Sequence, residues 1–403
     1  MSPHADVVVT PGNPGIDSSP GMHCSDRPAT EIAADLVVVG PEAPLVEGLA
    51  DELRALGRPV LGPGRDGARL EGSKAYMKEL AMAAGVPTAA WGSFDRLDDA
   101  SAFLRQLPGP YVIKTDGLAA GKGVLVTHDL AEAEADVAAK LSGSAFGGAG
   151  RRVVIEEGLE GEELSLLALC DGRRVVVLPP AQDYKRLGDY DAGPNTGGMG
   201  AVSPVAAADD AVLDTVRSSV LEPTVAELIR RGIDYRGVLY AGLMLTPGGP
   251  KLIEYNVRFG DPEAEVVLPR CSDNLADYFL AVASGAAPGA PGVRPEVAVC
   301  VVLAAPGYPL APLTGGVITG VEQAGTVEGV TVFHAGTARG DDGSLRVAGG
   351  RVLTVTATAP SISQARRRVY DAVGMIHFDG MQFRRDIAAR DEIQETTRDR
   401  GRA

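Results

Sequence analysis

Short β-branched apolar runs separated by turn residues, and interleaved with amphipathic stretches, organise most of this chain. Residues 6–9 run into the turn Pro11-Gly12-Asn13-Pro14-Gly15, and residues 35–39 run into Gly40-Pro41-Glu42. Residues 45–56 carry apolar positions at helical spacing, closed by Gly57, and 59–61 form a further short strand. Strands alternating with a helix predict a parallel sheet whose binding loops lie at the strands' carboxyl ends. Gly12, Asn13 and Glu42 stand at such ends, although a turn alone would also account for them. Ser73 is an N-cap for a helix through Ala84, with Tyr76, Met77, Leu80 and Ala84 on one face. That puts Lys74 in the first turn, where the helix dipole disfavours a cation unless an anion lies nearby.

Residues 112–127 read VIKTDGLAAGKGVLVT. A β-branched run ends in Lys114, a Gly-rich loop from Gly117 to Gly123 carries Lys122, and a second run follows at once. A Walker A loop would need one more residue, a Ser/Thr in place of Gly123, and a helix afterwards. The pattern is instead a hairpin whose tip is either an ordinary flexible turn or a flap whose backbone N–H groups close on an anion. Residues 151–157 then predict a strand ending in Glu156 and Glu157, followed by Leu159, Glu160, Glu162 and Glu163. Strands follow at 164–169 and 174–178.

Residues 181–204, AQDYKRLGDYDAGPNTGGMGAVSP, hold too much Gly and Asn for a regular element, and loops of that length in compact domains are usually functional or disordered. A helix is expected over 211–231 and strands over 237–245 and 251–255. The last of these delivers Glu254 and Asn256 to one face, and a carboxylate plus an amide oxygen suits a hard divalent cation. Arg258 and Gly260-Asp261-Pro262-Glu263 come directly after. Residues 286–295 have the composition of a linker, 296–304 and 350–358 read as strands, and Ser361 with Gln364 forms a capping box for a helix through Met375. Residues 391–403 are charged, lack a core pattern and are expected to fray.

At 403 residues the chain is long enough for two to four domains. A net charge of −15 argues against a general nucleic-acid surface, and with only seven lysines in all, those inside Gly-rich motifs carry extra weight. Cys24, Cys170, Cys271 and Cys300 show no zinc spacing and read as free thiols of a reducing compartment. No signal segment or membrane-length apolar run is present, so a cytoplasmic protein is expected.

Two spaced lysines, a glycine flap, an acidic strand end and a distant Glu-x-Asn pair resemble the ATP-grasp superfamily, which clamps ATP between two α+β domains. The strings LEGSKAYMKEL, IKTDGLAAGKGVLV, QDYKR, GPNTGGMGAVSP, IEYNVRFGDPE, FHAGT and GGRVL are similar to the phosphoribosylamine–glycine ligase family over about residues 6–388. The resemblance implies an α/β and α+β multidomain chain. A partial Rossmann-like parallel-sheet domain (1–70) would precede an ATP-grasp core (71–287) with a mobile lid at about 90–160. A small C-terminal α+β domain (288–390) and a tail (391–403) would follow.

The resemblance also implies ATP with Mg²⁺ or Mn²⁺ as cofactors, and glycine and 5-phosphoribosylamine as substrates, in a monomer or weak homo-oligomer without nucleic acid or membrane. Lys74 and Lys114 would reach the α/β-phosphates, with Gly117, Gly121, Lys122 and Gly123 as the flap. Glu156, Glu157 and Leu159 would form the adenine hinge, and Glu163 would take the ribose. Glu254 and Asn256 would hold the metal. Asp183, Lys185, Asn195, Gly198, Arg258, Asp261 and Glu42 would surround the substrates, with Lys114, Arg258 and Asp183 as the catalytic set. His334, in FHAGT, is the histidine most worth testing.

Tyr184 stands where the family suggests histidine, and Ala192 where it suggests threonine. The family also opens with a strand and a Gly-rich loop ending in Arg-Glu-His-Ala that precede the segments present here. The first seventy residues are therefore expected to pack loosely and to hold phosphoribosylamine weakly. Two rival readings stay open: another ATP-grasp ligase, against which GPNTGGMGA and RFGDPE argue, and an ATP-binding relic without turnover.

Overall fold

The computed structural model describes residues 5–118, 123–143, 152–393 and 395, and every statement of number or absence below concerns these residues. Three sheets carry the candidate site. The first is four-stranded and antiparallel, in the spatial order Trp91–Phe94, Val153–Glu157, Tyr111–Thr115, Val124–Thr127. The hairpin expected around Lys114 is present, with Ile113 opposite Leu125 and Lys114 opposite Val124. Helices Leu97–Leu104 and Leu130–Leu141 cover one face, burying Leu104, Ile113, Val137, Val153 and Ile155 together.

The second sheet runs Val175–Val177, Glu162–Asp171, Arg236–Thr246, Gly249–Asn256. Its apolar face packs on the helices Lys74–Ala83 and Glu222–Arg230 through Met77, Leu80, Leu228, Leu239 and Leu252. The third sheet is five-stranded, in the order Gln182–Asp183, Gly200–Ser203, Val297–Ala304, Arg351–Ala359, Val330–His334. Helix Ile362–Val373 covers one of its faces, and Ala298 and Cys300 turn the other onto Leu167, Leu169 and Val266 below the second sheet.

The loose packing expected of the first seventy residues does not hold from Val39 onward. No residue from 5 to 38 is buried, and Val7–Val9 pairs only with Met22–Cys24, in parallel. From Val39 onward the segment is packed. Leu45, Ala50, Leu53, Val60 and Ala68 are wholly buried and share a core with Tyr76 and Tyr235. The Arg54 guanidinium bridges the Val60 and Gly62 carbonyls, and the Gly62 N–H donates to the Arg236 carbonyl, which ties the short Val37–Val38/Val60–Leu61 pair to the second sheet. The single helix expected over 45–56 is two, Glu42–Glu47 and Leu49–Ala55, because Gly48 adopts φ 99° and breaks the hydrogen-bond ladder.

Three other expectations are corrected. The stretch 181–204 contains Gly200–Ser203, which pairs along its whole length with Val297–Ala304, so a Gly-rich sequence supplies a central strand. Gly200 suits it because φ is 158° there and a Cβ would meet the Cys300 carbonyl at 2.5 Å. The linker at 286–295 is docked, with Ala287 and Pro291 buried and Val293 bridged to Cys271. The tail begins in contact as well: Glu392 pairs with Arg366, and Glu395 accepts the Ile362 N–H at 3.1 Å, where a carboxylate complements a helix N-terminus.

Candidate active site

Lys114 projects from the first sheet towards the second and is 3% exposed. Its Nζ lies 2.7 Å from Glu156 Oε1 and donates to the Ile253 carbonyl at 3.3 Å, so one amine spans both sheets. The other Glu156 oxygen lies 2.6 Å from Lys78 Nζ, which also donates to Thr88 Oγ1 at 2.7 Å. Burial opposes the charge on Glu156, but Lys114 and Lys78 outweigh it and hold the carboxyl below its usual range. Burial likewise brings the Lys78 amine down to about 8, with Glu156 opposing that fall. Lys78 is a site residue that the sequence motifs do not single out. It lies four residues beyond Lys74, on the same helix face, and that spacing was the available signal.

The anion that Lys74 required is Asp116. Its Oδ1 accepts from the Ala75 N–H at 3.2 Å and from Ser73 Oγ at 3.0 Å, while Lys74 Nζ donates to the Gly117 carbonyl at 3.3 Å. Ser73 caps the helix by accepting the Tyr76 N–H. Gly117 (φ 126°) turns the chain where the expected flap would begin, and the Gly123 carbonyl accepts the Thr115 N–H at 2.9 Å. Gly121 and Lys122 lie outside the described residues.

Glu254 and Asn256 lie on one face of Gly249–Asn256, opposite Gly242 and Tyr240 respectively. Neither side chain makes a hydrogen bond or ion pair within about 4 Å to another described residue, so both oxygens are available to a ligand. Burial opposes the Glu254 charge, yet Lys114, Lys185, Lys74 and Arg258 hold its carboxyl below the usual range. A half-buried carboxylate among four cations, beside a free amide oxygen, fits a site for a divalent cation and the phosphates that accompany it.

Arg258 ties the end of the second sheet to the N-terminal part of the chain. Its Nη2 lies 3.0 Å from Glu71 Oε1 and its Nε 3.3 Å from Glu42 Oε2, so Glu42 arrives at the site from the start of helix Glu42–Glu47. Glu71 also accepts the Val257 N–H at 2.8 Å. Burial raises the Glu71 carboxyl to about 7, with Arg258 opposing the rise. The folded state therefore holds a proton that the unfolded state has released between the ordinary 4.5 and about 7. Stability from this group is complete below pH 4.5 and is lost as pH rises to about 7. Thermal melts should show wild type losing stability relative to Glu71→Gln across that window; a constant difference would mean that Glu71 is ionised throughout.

On the third sheet's edge Asp183 is enclosed by Ser165 Oγ at 3.4 Å and by Lys185 Nζ at 3.8 Å, and Lys185 also pairs with Glu163. Burial raises the Asp183 carboxyl to about 7, helped by Glu263 and Glu163 and opposed by Lys185. Behind it Tyr240 donates to Glu263 and meets Ser165 at 2.8 Å. Arg351 Nη1 donates to the Gly197 and Asp261 carbonyls, each at 2.7 Å, and lies 3.0 Å from Asp261 Oδ1. Gly198 (φ 110°) packs against Pro262 there, with a Cβ position 2.4 Å from the proline ring.

Other candidates lie apart or are already engaged. Asn195 sits opposite Arg186 on a separate two-stranded ribbon, with no side-chain hydrogen bond to a described residue. In the segment expected to form the hinge, the Glu157 N–H donates to the Ala90 carbonyl and the Gly158 N–H to the Pro110 carbonyl, which leaves the Leu159 N–H available. His334 faces the first strand pair: its carbonyl accepts from Asn13 Nδ2 at 2.7 Å and its Nδ1 meets Thr337 Oγ1 at 3.0 Å. Tyr184 turns towards the C-terminal unit, where its hydroxyl accepts the Ala388 N–H at 2.9 Å.

Comparison with known proteins gives three separate matches along the chain. Family models for phosphoribosylglycinamide synthetase match in three parts: the N domain over 1–71, the ATP-grasp (A) domain over 72–264 and the C domain over 298–390. The chain belongs to the phosphoribosylglycinamide synthetase family. It is 49% identical over 394 residues to phosphoribosylamine--glycine ligase of Caulobacter vibrioides, an alignment covering 95% of this chain and 92% of that one. It is 47% identical to the Leifsonia xyli protein of the same name, covering 96% and 94%. The crystal structure of phosphoribosylamine--glycine ligase from Thermotoga maritima superposes with a TM-score of 0.82 at 36% identity, covering 93% of this chain and 92% of that one. A biotin carboxylase domain from Hydrogenobacter thermophilus, solved with MgADP and bicarbonate, shares the fold at TM-score 0.69 but only 18% identity. The architecture is thus a multidomain α/β ATP-grasp ligase, of a fold that works with ATP and a divalent metal. No described helix is long and apolar enough to cross a membrane.

Proposed function

We propose that this chain joins glycine to 5-phosphoribosylamine at the expense of ATP, giving glycinamide ribonucleotide, ADP and phosphate, in the cytoplasm. The observation that carries the reading is the free Glu254–Asn256 pair set among Lys74, Lys114, Lys185 and Arg258. Such a site stabilises charge on a transferring phosphoryl group. Glu254 and Asn256 would hold a divalent cation, Mg²⁺ by proposal, which when bound neutralises phosphate charge.

A glycine carboxylate is a poor electrophile. Its oxygen therefore attacks the γ-phosphorus, the bond to the ADP oxygen breaks, and glycyl phosphate forms. Lys114 is held for this between Glu156 and the Ile253 carbonyl, so its charge is in place before substrate arrives. The ribosylamine nitrogen then attacks the glycyl carbonyl carbon, and the C–O bond to phosphate breaks with the electron pair leaving on phosphate. The nitrogen must lose a proton, and Asp183, with its carboxyl at about 7, is suited to take it. Closure of the hairpin beyond Gly117 would keep water from the mixed anhydride.

The test is a coupled assay of ADP release. ADP should appear only when glycine and phosphoribosylamine are supplied together. Release driven by bicarbonate alone at a comparable rate would instead assign the chain a carboxylase reaction on the same fold.

A further inference from the structure

The five-stranded sheet has two edges. Asp183 and the candidate active site occupy one; at the other, Val330–His334 and Arg351–Ala359 line a cavity of about 200 Å³. Arg270 and Arg294 reach it from the segment after the second sheet, Thr331, Thr356 and Thr358 from the third, and Glu296 completes the wall. Thr331 and Thr356 are directly opposed across the two strands, with Thr358 two residues on, so the three hydroxyls share one face.

Two independent observations at this cavity point to an anionic ligand. Arg270 is only 7% exposed, yet it forms no ion pair among the described residues. Its Nε donates to the Glu296 carbonyl at 2.8 Å and one Nη to Ser203 Oγ at 2.9 Å, which leaves the second Nη without an acceptor among those residues. Burial accordingly lowers its proton affinity, against weaker support from Cys271 and Glu296. A buried guanidinium without a counter-ion is costly, and a neutral water cannot compensate its charge. Second, Thr356 is 2% exposed and its Oγ1 has no hydrogen-bond partner. Buried hydroxyls are nearly always satisfied, by solvent or ligand where protein does not serve. Arg294, on the rim, donates only through Nε to the Cys271 carbonyl at 3.3 Å and makes no ion pair either. Two guanidinium groups against one carboxylate, over a floor of hydroxyl donors, is the chemistry that recognises a tetrahedral oxyanion.

We propose that Arg270, Arg294 and Thr356 form a phosphate-binding site at the sheet edge remote from the nucleotide site. Its ligand is inorganic phosphate or the phosphate group of a small ester. The ion replaces the missing carboxylate of Arg270, accepts from Thr356, and is closed over by Arg294.

The test is isothermal titration of the full chain at fixed ionic strength, with its nucleotide site saturated by Mg²⁺ and a non-hydrolysable ATP analogue. Inorganic phosphate is titrated in one arm and ribose 5-phosphate in the other. The comparison variants are Thr356→Val, which removes a hydroxyl without changing shape, and Arg294→Gln on the exposed rim. Unchanged melting temperatures confirm that both variants fold. At least one of the two probes should bind wild type. Arg294→Gln should weaken that binding about tenfold, the loss expected for one charge-assisted hydrogen bond, and Thr356→Val by a smaller factor. Binding of one probe alone assigns the ligand as the free ion or the ester. No binding with the nucleotide site filled, or equal affinity in wild type and both variants, overturns the proposal.

Discussion

Replacing Glu254 by alanine should lower kcat by about 10²- to 10³-fold, the loss typical when a charge-stabilising contact is removed from a transition state. The fold should survive, because no described side chain donates a hydrogen bond to Glu254 and its removal orphans no partner. What disappears is the negative centre around which Lys114, Lys185, Lys74 and Arg258 converge. Four cations left without it repel one another and bind nucleotide phosphates without a metal to organise them. The measurement is kcat at saturating substrates across a Mg²⁺ titration, with melting temperature as the control. An unchanged kcat and an unchanged Mg²⁺ dependence would remove Glu254 from the metal site.

Glu156→Gln should act on stability as well as on rate. The wild-type carboxylate is the shared counter-ion of Lys78, which is fully buried, and of Lys114. Removing one partner of a buried ion pair costs about 3–5 kcal/mol, because a desolvated charge is left behind, and here two would be left. The deficit should also depend on pH. The Lys78 amine is already down at about 8 against its ordinary 10.5, and without Glu156 it falls further. Above that lowered value the unfolded chain binds more protons than the folded one, so the variant recovers stability as pH rises. Urea unfolding at about pH 7 and about pH 9 should therefore show a large deficit that narrows at the higher pH. A small deficit, independent of pH, would mean that the two lysines reach solvent.

Which residues take part was legible in the sequence to the extent that local pattern determines local structure. The hairpin around Lys114 followed from two β-branched runs flanking glycines, and the Ser73 cap from its position ahead of an amphipathic stretch. The shared face of Glu254 and Asn256 followed from the period of a strand. Legibility failed where partners come from elsewhere in the chain. Glu156 was marked as a hinge residue for its backbone, yet its side chain neutralises two lysines from different elements, and Lys78 and Asp116 emerged only with the fold. The Gly-rich stretch 181–204 looked irregular because glycine carries no strand propensity. The neighbouring strand Val297–Ala304 supplies the hydrogen bonds that make Gly200–Ser203 regular.

By itself the sequence determined most of the elements, though not the strand Gly200–Ser203 or the break at Gly48, together with the order of the family's motifs and the class of chemistry. Capping, alternation and glycine spacing act within a few residues, and the motif strings identify a family whatever their contacts. Only the tertiary structure decided the electrostatics. The charge states of Glu156, Lys78, Glu71 and Asp183 depend on burial and on ions brought from distant parts of the chain. It also decided that residues 39–70 join the central core while 5–38 stay at the surface, since that rests on Tyr76 and Tyr235 meeting Leu45 and Leu53. Desolvation and Coulomb interaction depend on distance in space, which separation along the chain does not encode.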